Sequence, residues 1–195
     1  MHAVDAAIAA GADRVVITTD IAQIIAGGYE GCVEVLERPR HLALDTTSME
    51  SVILHACKTL HLSGTLVLLQ PTSPLRRAKQ IQIGLSMFAQ GQFDLVMSVT
   101  EANNVVLKWG VLDEDIFRPI SDPKYCFANR QQLPSLVRPN GAIYVFNADS
   151  FVDREGFPVA RIGALRMLPE ESLDIDALED FKLCEAALEL REKAK

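Results

Sequence analysis

An apolar segment that runs into a proline-containing polar turn constrains the fold of this chain most strongly. Residues 65–69 are almost wholly apolar, as in a parallel strand that helices cover on both faces. The turn Gln-Pro-Thr-Ser-Pro-Leu-Arg follows at residues 70–76. Similar strands alternate along the chain with helical segments, which predicts an α/β fold with a doubly wound, mostly parallel sheet. Ligands bind such sheets beyond the carboxyl ends of the strands, where this turn lies.

Two interpretations of the turn are open. Ser73 could cap a helix over residues 75–89, so that the turn would only join a strand to a helix. Capping needs a single hydroxyl group, however, whereas Gln70, Thr72 and Arg76 add donors and acceptors that suit a polar or anionic ligand. The second interpretation makes all four side chains substrate-binding residues.

The hydrophobic pattern predicts the other elements and one interruption. Helices are expected over residues 3–10, 21–26, 48–62 and 178–193, and strands over residues 13–20, 32–36, 94–100, 142–146 and 164–168. Between residues 105 and 139 the alternation breaks down into short strand candidates and a polar, proline-containing stretch. We therefore predict an inserted arm at 105–139 and an α/β domain formed by 1–104 and 140–195.

Composition restricts the class of function. The formal net charge of -7 argues against general nucleic-acid binding through a basic face. No apolar run approaches the roughly 20 residues that span a bilayer, and no signal peptide is recognisable, so a cytoplasmic location without a membrane partner is expected. The cysteines show no metal-ligand spacing and are predicted to be free, mostly buried thiols: Cys32, Cys57, Cys126 and Cys184.

A pair of carboxylates near the other end of the chain is a candidate metal site. Asp174 and Asp176 stand two residues apart, which places both on one side of an extended backbone. A cation such as Mg²⁺ would remove their repulsion, with phosphate and water oxygens completing its coordination. Alternatively, one of the two caps the last helix and the other is merely solvated.

Two further segments have both a structural and a functional interpretation. In Asn140-Gly-Ala-Ile-Tyr144, the glycine suits the start of a strand and the tyrosine suits a core position with its hydroxyl at the rim. In Arg38-Pro-Arg40, the two charges suit either a solvated loop or a bound phosphate.

Taken together, these segments resemble the CMP-sialic acid synthetase (acylneuraminate cytidylyltransferase) family over essentially the whole chain. The strand and turn at 68–76 and the Arg-Pro-Asn-Gly-Ala-Ile-Tyr run at 138–144 are the specific pair. Supporting matches are Arg38-Pro39 with Asp45-Thr46, the Arg-Gln-Gln-Leu-Pro run at 130–134, and Asp174-Ile175-Asp176.

The resemblance implies that a nucleoside monophosphate passes from CTP to the anomeric hydroxyl of a nine-carbon acidic sugar, with release of pyrophosphate. Asp174 and Asp176 match the family's metal ligands, so they are the expected catalytic residues and the expected cofactor is Mg²⁺. By the same resemblance, other residues match positions that line the two substrates: Gln70, Asn140 and Tyr144 on the sugar side, and Arg38 and Ser48 on the nucleotide side.

The resemblance also implies a homodimer and an unusual amino terminus. Family members reach over the partner's site with the inserted arm, so Lys108 and Arg130 would meet the sugar carboxylate in the neighbouring subunit. Family members begin with a strand and a glycine-rich basic loop around the CTP phosphates, whereas this chain begins in the helix that follows. We therefore expect the first strand and the phosphate loop to be missing, and the chain by itself to be a poor transferase.

Two alternatives stay open within this resemblance. The chain could be a noncatalytic remnant that keeps the sugar pocket and the dimer arm. It could also derive from a relative that acts on legionaminic acid with a nucleotide other than CTP.

Overall fold

The computed structural model describes residues 1–193 of the chain. It contains six α-helices and eight strands in that range. The helices are α1 (His2–Ala10), α2 (Ala22–Ile25), α3 (Met49–Leu60), α4 (Ala78–Ala89), α5 (Ala148–Arg154) and α6 (Leu178–Lys193). The strands are β1 (Val15–Thr19), β2 (Val33–Glu37), β3 (Thr65–Leu68), β4 (Leu95–Ala102), β5 (Gly110–Asp113), β6 (Ile116–Pro119), β7 (Leu136–Asn147) and β8 (Ile162–Arg166).

The strands form three hydrogen-bonded groups. A central four-stranded sheet has the order β3-β7-β4-β8, β1 pairs with β2 in parallel, and β5 and β6 form a hairpin. Strands β4 and β8 are parallel, while β7 runs antiparallel to both β3 and β4. The chain reaches β7 through the arm and not through a crossover helix, and an antiparallel strand needs no such crossover. The predicted α/β class is confirmed.

The central sheet is covered on both faces. Successive residues of β7 point to opposite sides. Val145 belongs to a core cluster with Ile81 of α4, whereas Phe146 packs with Ile53 of α3 and Phe151 of α5. Helix α1 joins the first layer through Ala6. This packing leaves the ends of the strands, and not the faces of the sheet, for a ligand. No helix among residues 1–193 combines the length and apolar character needed to cross a bilayer.

Helix α4 begins later than predicted. It starts at Ala78, and the Arg77 N–H donates to Gln80 Oε1 at 2.7 Å in its first turn. Ser73 therefore does not cap this helix. The intervening residues stay irregular because Leu75 is fully buried and the Arg76 side chain turns back to the carbonyl oxygen of Gln70.

The segment predicted as an arm contains the separate β5–β6 hairpin and three short 3₁₀ turns, at Asn104–Lys108, Pro123–Phe127 and Arg130–Gln132. Strand β7, however, begins at Leu136, and its first residues pair with the end of β4. Residues 136–139 thus continue the central sheet. The division into an arm and a domain stays a prediction.

Candidate functional site

Three segments that are far apart in sequence meet beyond the carboxyl end of β3. The Ser73 hydroxyl lies 3.3 Å from Oδ1 of Asp174 and 3.4 Å from the Asn140 carbonyl oxygen. The Ile175 N–H donates to the Thr72 carbonyl oxygen at 2.9 Å. We call the loop with Asp174 and Asp176 the carboxylate loop. One continuous wall is therefore formed by this loop, the turn at 70–76 and the start of the Asn140–Tyr144 segment.

Asn140 joins this wall to the core of the protein. Its side chain is buried, with only 2% of the residue exposed. Its Oδ1 accepts from the Ser98 hydroxyl at 2.5 Å, and its Nδ2 donates to the Ser172 hydroxyl at 2.8 Å. The Ser172 hydroxyl donates in turn to the Leu168 carbonyl oxygen at 2.8 Å. Because both ends of the amide are used inside the protein, Asn140 acts here as a structural hub, and its predicted sugar contact stays a prediction.

Gln70 and Tyr144 lie half-buried on the open side of the wall. Gln70 Nε2 is 3.3 Å from the Met49 sulfur at the start of α3. The Tyr144 ring packs against Phe157, with 5.7 Å between centroids. Burial, together with the negative charge of Asp174, raises the pKa of Tyr144, so its hydroxyl stays protonated and can donate. Met49 and Phe157 carry no sequence signal that would have identified them, since one begins a helix and the other lies in a loop.

Arg76 lies beneath the turn. It is 4% exposed, and its Nη2 donates to the Gln70 carbonyl oxygen. Its Nε and Nη1 are buried and have no hydrogen-bond partner among residues 1–193. Burial lowers the pKa of Arg76 to about 10, and the charge of Asp174 opposes the shift. The side chain is thus a buried cation between the turn and Asp174. Thr72, by contrast, is exposed at the surface of the same turn.

The two candidate metal ligands differ in environment. Asp174 is half-buried and Asp176 is exposed. Among the described residues, no N–H group of α6 donates to either carboxylate, and Asp180 Oδ2 accepts from the Asp176 and Ala177 N–H groups at 3.2 and 2.9 Å. Neither carboxylate therefore caps the helix, although Oδ1 of Asp174 already accepts from the Ser73 hydroxyl.

The donor set at these carboxylates fits magnesium only in combination with a substrate. No group of three or more His, Cys, Asp or Glu side chains suited to a metal is found among the described residues. Two carboxylates are the usual protein contribution to a Mg²⁺ ion that also binds phosphate and water oxygens. Asp174 and Asp176 have that chemistry.

The residues predicted on the nucleotide side hold other elements in place. Arg38 follows β2, and its Nη2 donates to the Thr18 carbonyl oxygen of β1 at 2.7 Å. Ser48 is the N-cap of α3 and accepts from the Ser51 N–H at 3.2 Å. Neither is hydrogen-bonded to the turn at 70–76 among the described residues, so their nucleotide contacts stay predictions.

The residues predicted to serve a partner subunit both lie in the arm. Lys108 ends the first 3₁₀ turn and is half-buried, whereas Arg130 begins the third and is exposed. Between β4 and β7, seven large apolar side chains are more than half exposed. They are Trp109, Val111, Leu112, Ile116, Phe117, Ile120 and Phe127, and we call them the arm patch.

Solved structures with the same fold are known. A solved CMP:2-keto-3-deoxy-manno-octonic acid synthetase in complex with CTP superposes with a TM-score of 0.60 at 14% identity, covering 96% of this chain and 88% of that one. An apo UDP-glucose pyrophosphorylase gives 0.55 at 15% identity, covering 100% and 86%. The chain shares the fold of these two proteins.

Comparison with curated proteins identifies sequence relatives of the chain. The N-acylneuraminate cytidylyltransferase of Escherichia coli O18:K1:H7 is 31% identical over 172 residues, or 88% of this chain and 41% of the relative. The enzyme of the same name from Streptococcus agalactiae serotype V is 28% identical over 191 residues, or 92% and 44%. The chain is therefore similar in sequence to N-acylneuraminate cytidylyltransferases, and the resemblance inferred from its motifs is confirmed.

The chain matches only part of the length of these relatives. The chain spans less than half the length of these two cytidylyltransferases. It spans 75% of the post-translational flagellin modification protein B of Campylobacter coli, at 27% identity over 180 residues. No family profile matches the chain.

Proposed function

We propose that the protein is a cytidylyltransferase that activates a nine-carbon acidic sugar, N-acetylneuraminate or a relative, with CTP to give the CMP-sugar and pyrophosphate. One observation carries the proposal: the hydrogen bonds among Ser73, Asn140 and Asp174 bring a polar turn, a strand segment and a carboxylate pair to one crevice. That crevice lies at the sheet edge where α/β proteins bind ligands. The names of the sequence relatives supply the substrate class.

The residues of the crevice divide by what their environments allow. Asp174 and Asp176 would hold Mg²⁺, which when bound neutralises charge on the transferring phosphate groups. Gln70 and Tyr144 present an amide and a protonated hydroxyl to the sugar, and the exposed Thr72 hydroxyl borders them.

The buried polar residues are proposed to hold those groups in position. Ser73, Arg76 and Asn140 are each at least nine-tenths buried and bonded within the protein, so they would orient the wall. Arg38 and Ser48 are proposed for the nucleotide side. Catalysis would then come mainly from the alignment of the two substrates, since phosphoryl transfer needs little covalent chemistry from protein groups.

A homodimer built on the arm is part of the proposal. Phe127 is 91% exposed, Leu112 is 71% exposed, and the other five residues of the arm patch are each more than half exposed. Exposed apolar surface of this kind suits a contact with another protein. A second copy would cover the patch and bring Lys108 and Arg130 toward the partner's sugar, where two cations suit a carboxylate. A cytoplasmic location, without membrane or nucleic-acid partners, completes this prediction.

Pyrophosphate release tests the activity. It is measured both for the 195-residue chain and for a chimera that carries the amino-terminal segment of a cytidylyltransferase relative, because the chain alone is expected to be a poor transferase. CTP, Mg²⁺ and N-acetylneuraminate should together give pyrophosphate and a CMP-sugar that is identified by mass spectrometry. Asp174→Asn and Asp176→Asn should reduce the rate at least about 100-fold, since each removes one anionic ligand of the metal. Asp153→Asn, an exposed aspartate on α5, is the matched control and should leave the rate unchanged.

Other outcomes of the same assay separate the alternatives. Parallel reactions with legionaminic acid, and with GTP in place of CTP, identify the preferred pair of substrates. Binding of the sugar without turnover would support the noncatalytic module instead. Neither turnover nor binding with any nine-carbon acidic sugar would refute the proposed function.

A further inference from the structure

The Gln70 carboxamide rests directly against the backbone of β7. A Cβ atom added to Gly141 would lie 2.5 Å from Gln70 Oε1, well inside van der Waals contact. Gly141 also has a φ of +75°, a conformation that other residues rarely adopt. The present position of the Gln70 amide therefore requires a residue without a side chain at position 141.

The opposite side of the same amide contacts a sulfur atom. Gln70 Nε2 lies 3.3 Å from Met49 Sδ, and a thioether is only a weak acceptor. A ligand oxygen can therefore replace this contact at little cost, whereas a carbonyl or carboxylate partner would hold the amide more firmly. The main chain of Gln70 is fixed separately, because its carbonyl oxygen accepts from the buried Arg76 guanidinium.

These contacts leave part of the amide free. One N–H of Nε2 points to Met49, and no hydrogen bond within residues 1–193 uses Oε1 or the second N–H. A free acceptor next to a free donor, on a half-buried side chain, suits a hydroxyl-bearing ligand.

We propose that Gly141 and Met49 are positioning residues that set the orientation of the Gln70 carboxamide for the hydroxyl groups of the acceptor sugar. This inference rests on the proposed function for the identity of the ligand. Gly141 excludes a side chain from the place of Oε1, and Met49 holds Nε2 loosely until a sugar oxygen replaces the sulfur. Substrate selectivity at Gln70 would then depend on two residues that do not themselves bind the sugar.

A pair of glycine substitutions tests the contact with Gly141. Gly141→Ala introduces both backbone strain and a collision with Gln70. Gly91→Ala introduces comparable strain only, because Gly91 has a φ of +72° and open space around its missing Cβ. The dissociation constant for N-acetylneuraminate, measured by calorimetry, should rise at least about tenfold in Gly141→Ala and by less than about twofold in Gly91→Ala.

A double-mutant cycle shows whether the effect passes through Gln70. If it does, Gly141→Ala should weaken sugar binding no further once Gln70 is replaced by alanine. Additive losses, or unchanged sugar binding in Gly141→Ala, would overturn the inference.

A second measurement needs no ligand and separates this inference from the proposed function. The side-chain amide resonances of Gln70 in a ¹⁵N–¹H spectrum should shift in Met49→Leu, which keeps the volume but removes the acceptor, and in Gly141→Ala. They should not shift in Gly91→Ala. Unchanged Gln70 signals in the first two variants refute the positioning role. Failure of the unmodified protein to bind any acidic sugar, with those shifts present, counts against the proposed function alone.

Discussion

The Ser73 hydroxyl lies 3.3 Å from Oδ1 of Asp174, which joins two residues that are 101 positions apart in the sequence. Next to this contact, the Ile175 N–H donates to the Thr72 carbonyl oxygen. The carboxylate loop is therefore attached to the turn after β3 by a side-chain bond and a main-chain bond. The turn and the carboxylate loop are therefore held in a fixed relationship by contacts within the protein.

The Ser73–Asp174 contact leads to the first prediction. Ser73→Ala removes a fully buried hydroxyl and leaves Asp174 without this donor. We expect a loss of about 1 kcal/mol in the free energy of unfolding, the usual net value of such a hydrogen bond. Urea denaturation measures it. Magnesium affinity, followed by calorimetry, should fall as well, because Asp174 is less well oriented.

An exposed serine provides the control for this prediction. Ser135→Ala should change the free energy of unfolding by less than about 0.5 kcal/mol. Equal effects of the two substitutions would show that the Ser73 hydroxyl contributes nothing specific.

Arg76 and Arg77 form a natural pair for the second prediction. Arg76→Met leaves the Gln70 carbonyl without its donor and Asp174 without its buried cation, so we expect a loss of about 2 kcal/mol in the free energy of unfolding. The side chain of Arg77 is 58% exposed and pairs with Glu171, so Arg77→Met should cost less than about 1 kcal/mol. Denaturation curves with similar losses for both would contradict this assignment.

The pH dependence of the Arg76 effect follows from its pKa. Burial lowers the folded-state value to about 10, below that of the unfolded chain. The unfolded state binds the additional proton only above about pH 10, so stability changes through this group only there, and it rises with pH. Near neutral pH the difference between the protein and Arg76→Met should therefore not vary with pH, which repeated denaturation curves at several pH values would show.

Much of the fold could be predicted because its local signals are independent of tertiary structure. The N-cap at Ser48 and the left-handed C-cap at Gly11 depend on hydrogen bonds within one turn, which serine and glycine favour at these positions, and the helices predicted next to them are present. The start of α4 was wrong by three residues. Pro74 and Ser73 favour a helix locally, but burial of Leu75 and the contact of Arg76 with Gln70 override that preference.

The site was predictable in its composition but not in its internal contacts. Polar residues after a buried strand mark the binding edge, and the structure does bring the turn together with Asn140 and Asp174. Sequence could not tell that the amide of Asn140 is used entirely inside the protein, because its partner Ser98 lies on β4 and comes close only in the folded sheet. The same holds for Met49, whose contact with Gln70 joins two elements.

The cysteines give a third prediction. Cys57 and Cys184 are each 2% exposed, and burial raises the pKa of both thiols, with a smaller contribution from Asp149 at Cys57. A raised pKa means less thiolate at a given pH, and thiolate is the reactive form. At pH 8, a disulfide reagent such as dithionitrobenzoate should therefore modify the half-buried Cys32 and Cys126 quickly and the other two only on unfolding. Four equally fast thiols would contradict the buried positions.

The arm patch gives the last prediction, which concerns assembly. Phe127 is 91% exposed, and Phe127→Glu places a charge where a second copy is proposed to pack. We expect the protein to be a dimer by light scattering after size exclusion, and this variant to be monomeric at the same concentration. Leu190→Glu is the matched control, because Leu190 is also an exposed apolar residue, at 68%, but lies on α6 outside the arm. Its dimer should persist with unchanged thermal stability. A monomeric parent protein would contradict the dimer, and a dimer that only Leu190→Glu disrupts would place the assembly surface elsewhere. Either result would remove the support for Lys108 and Arg130 acting in the partner's site.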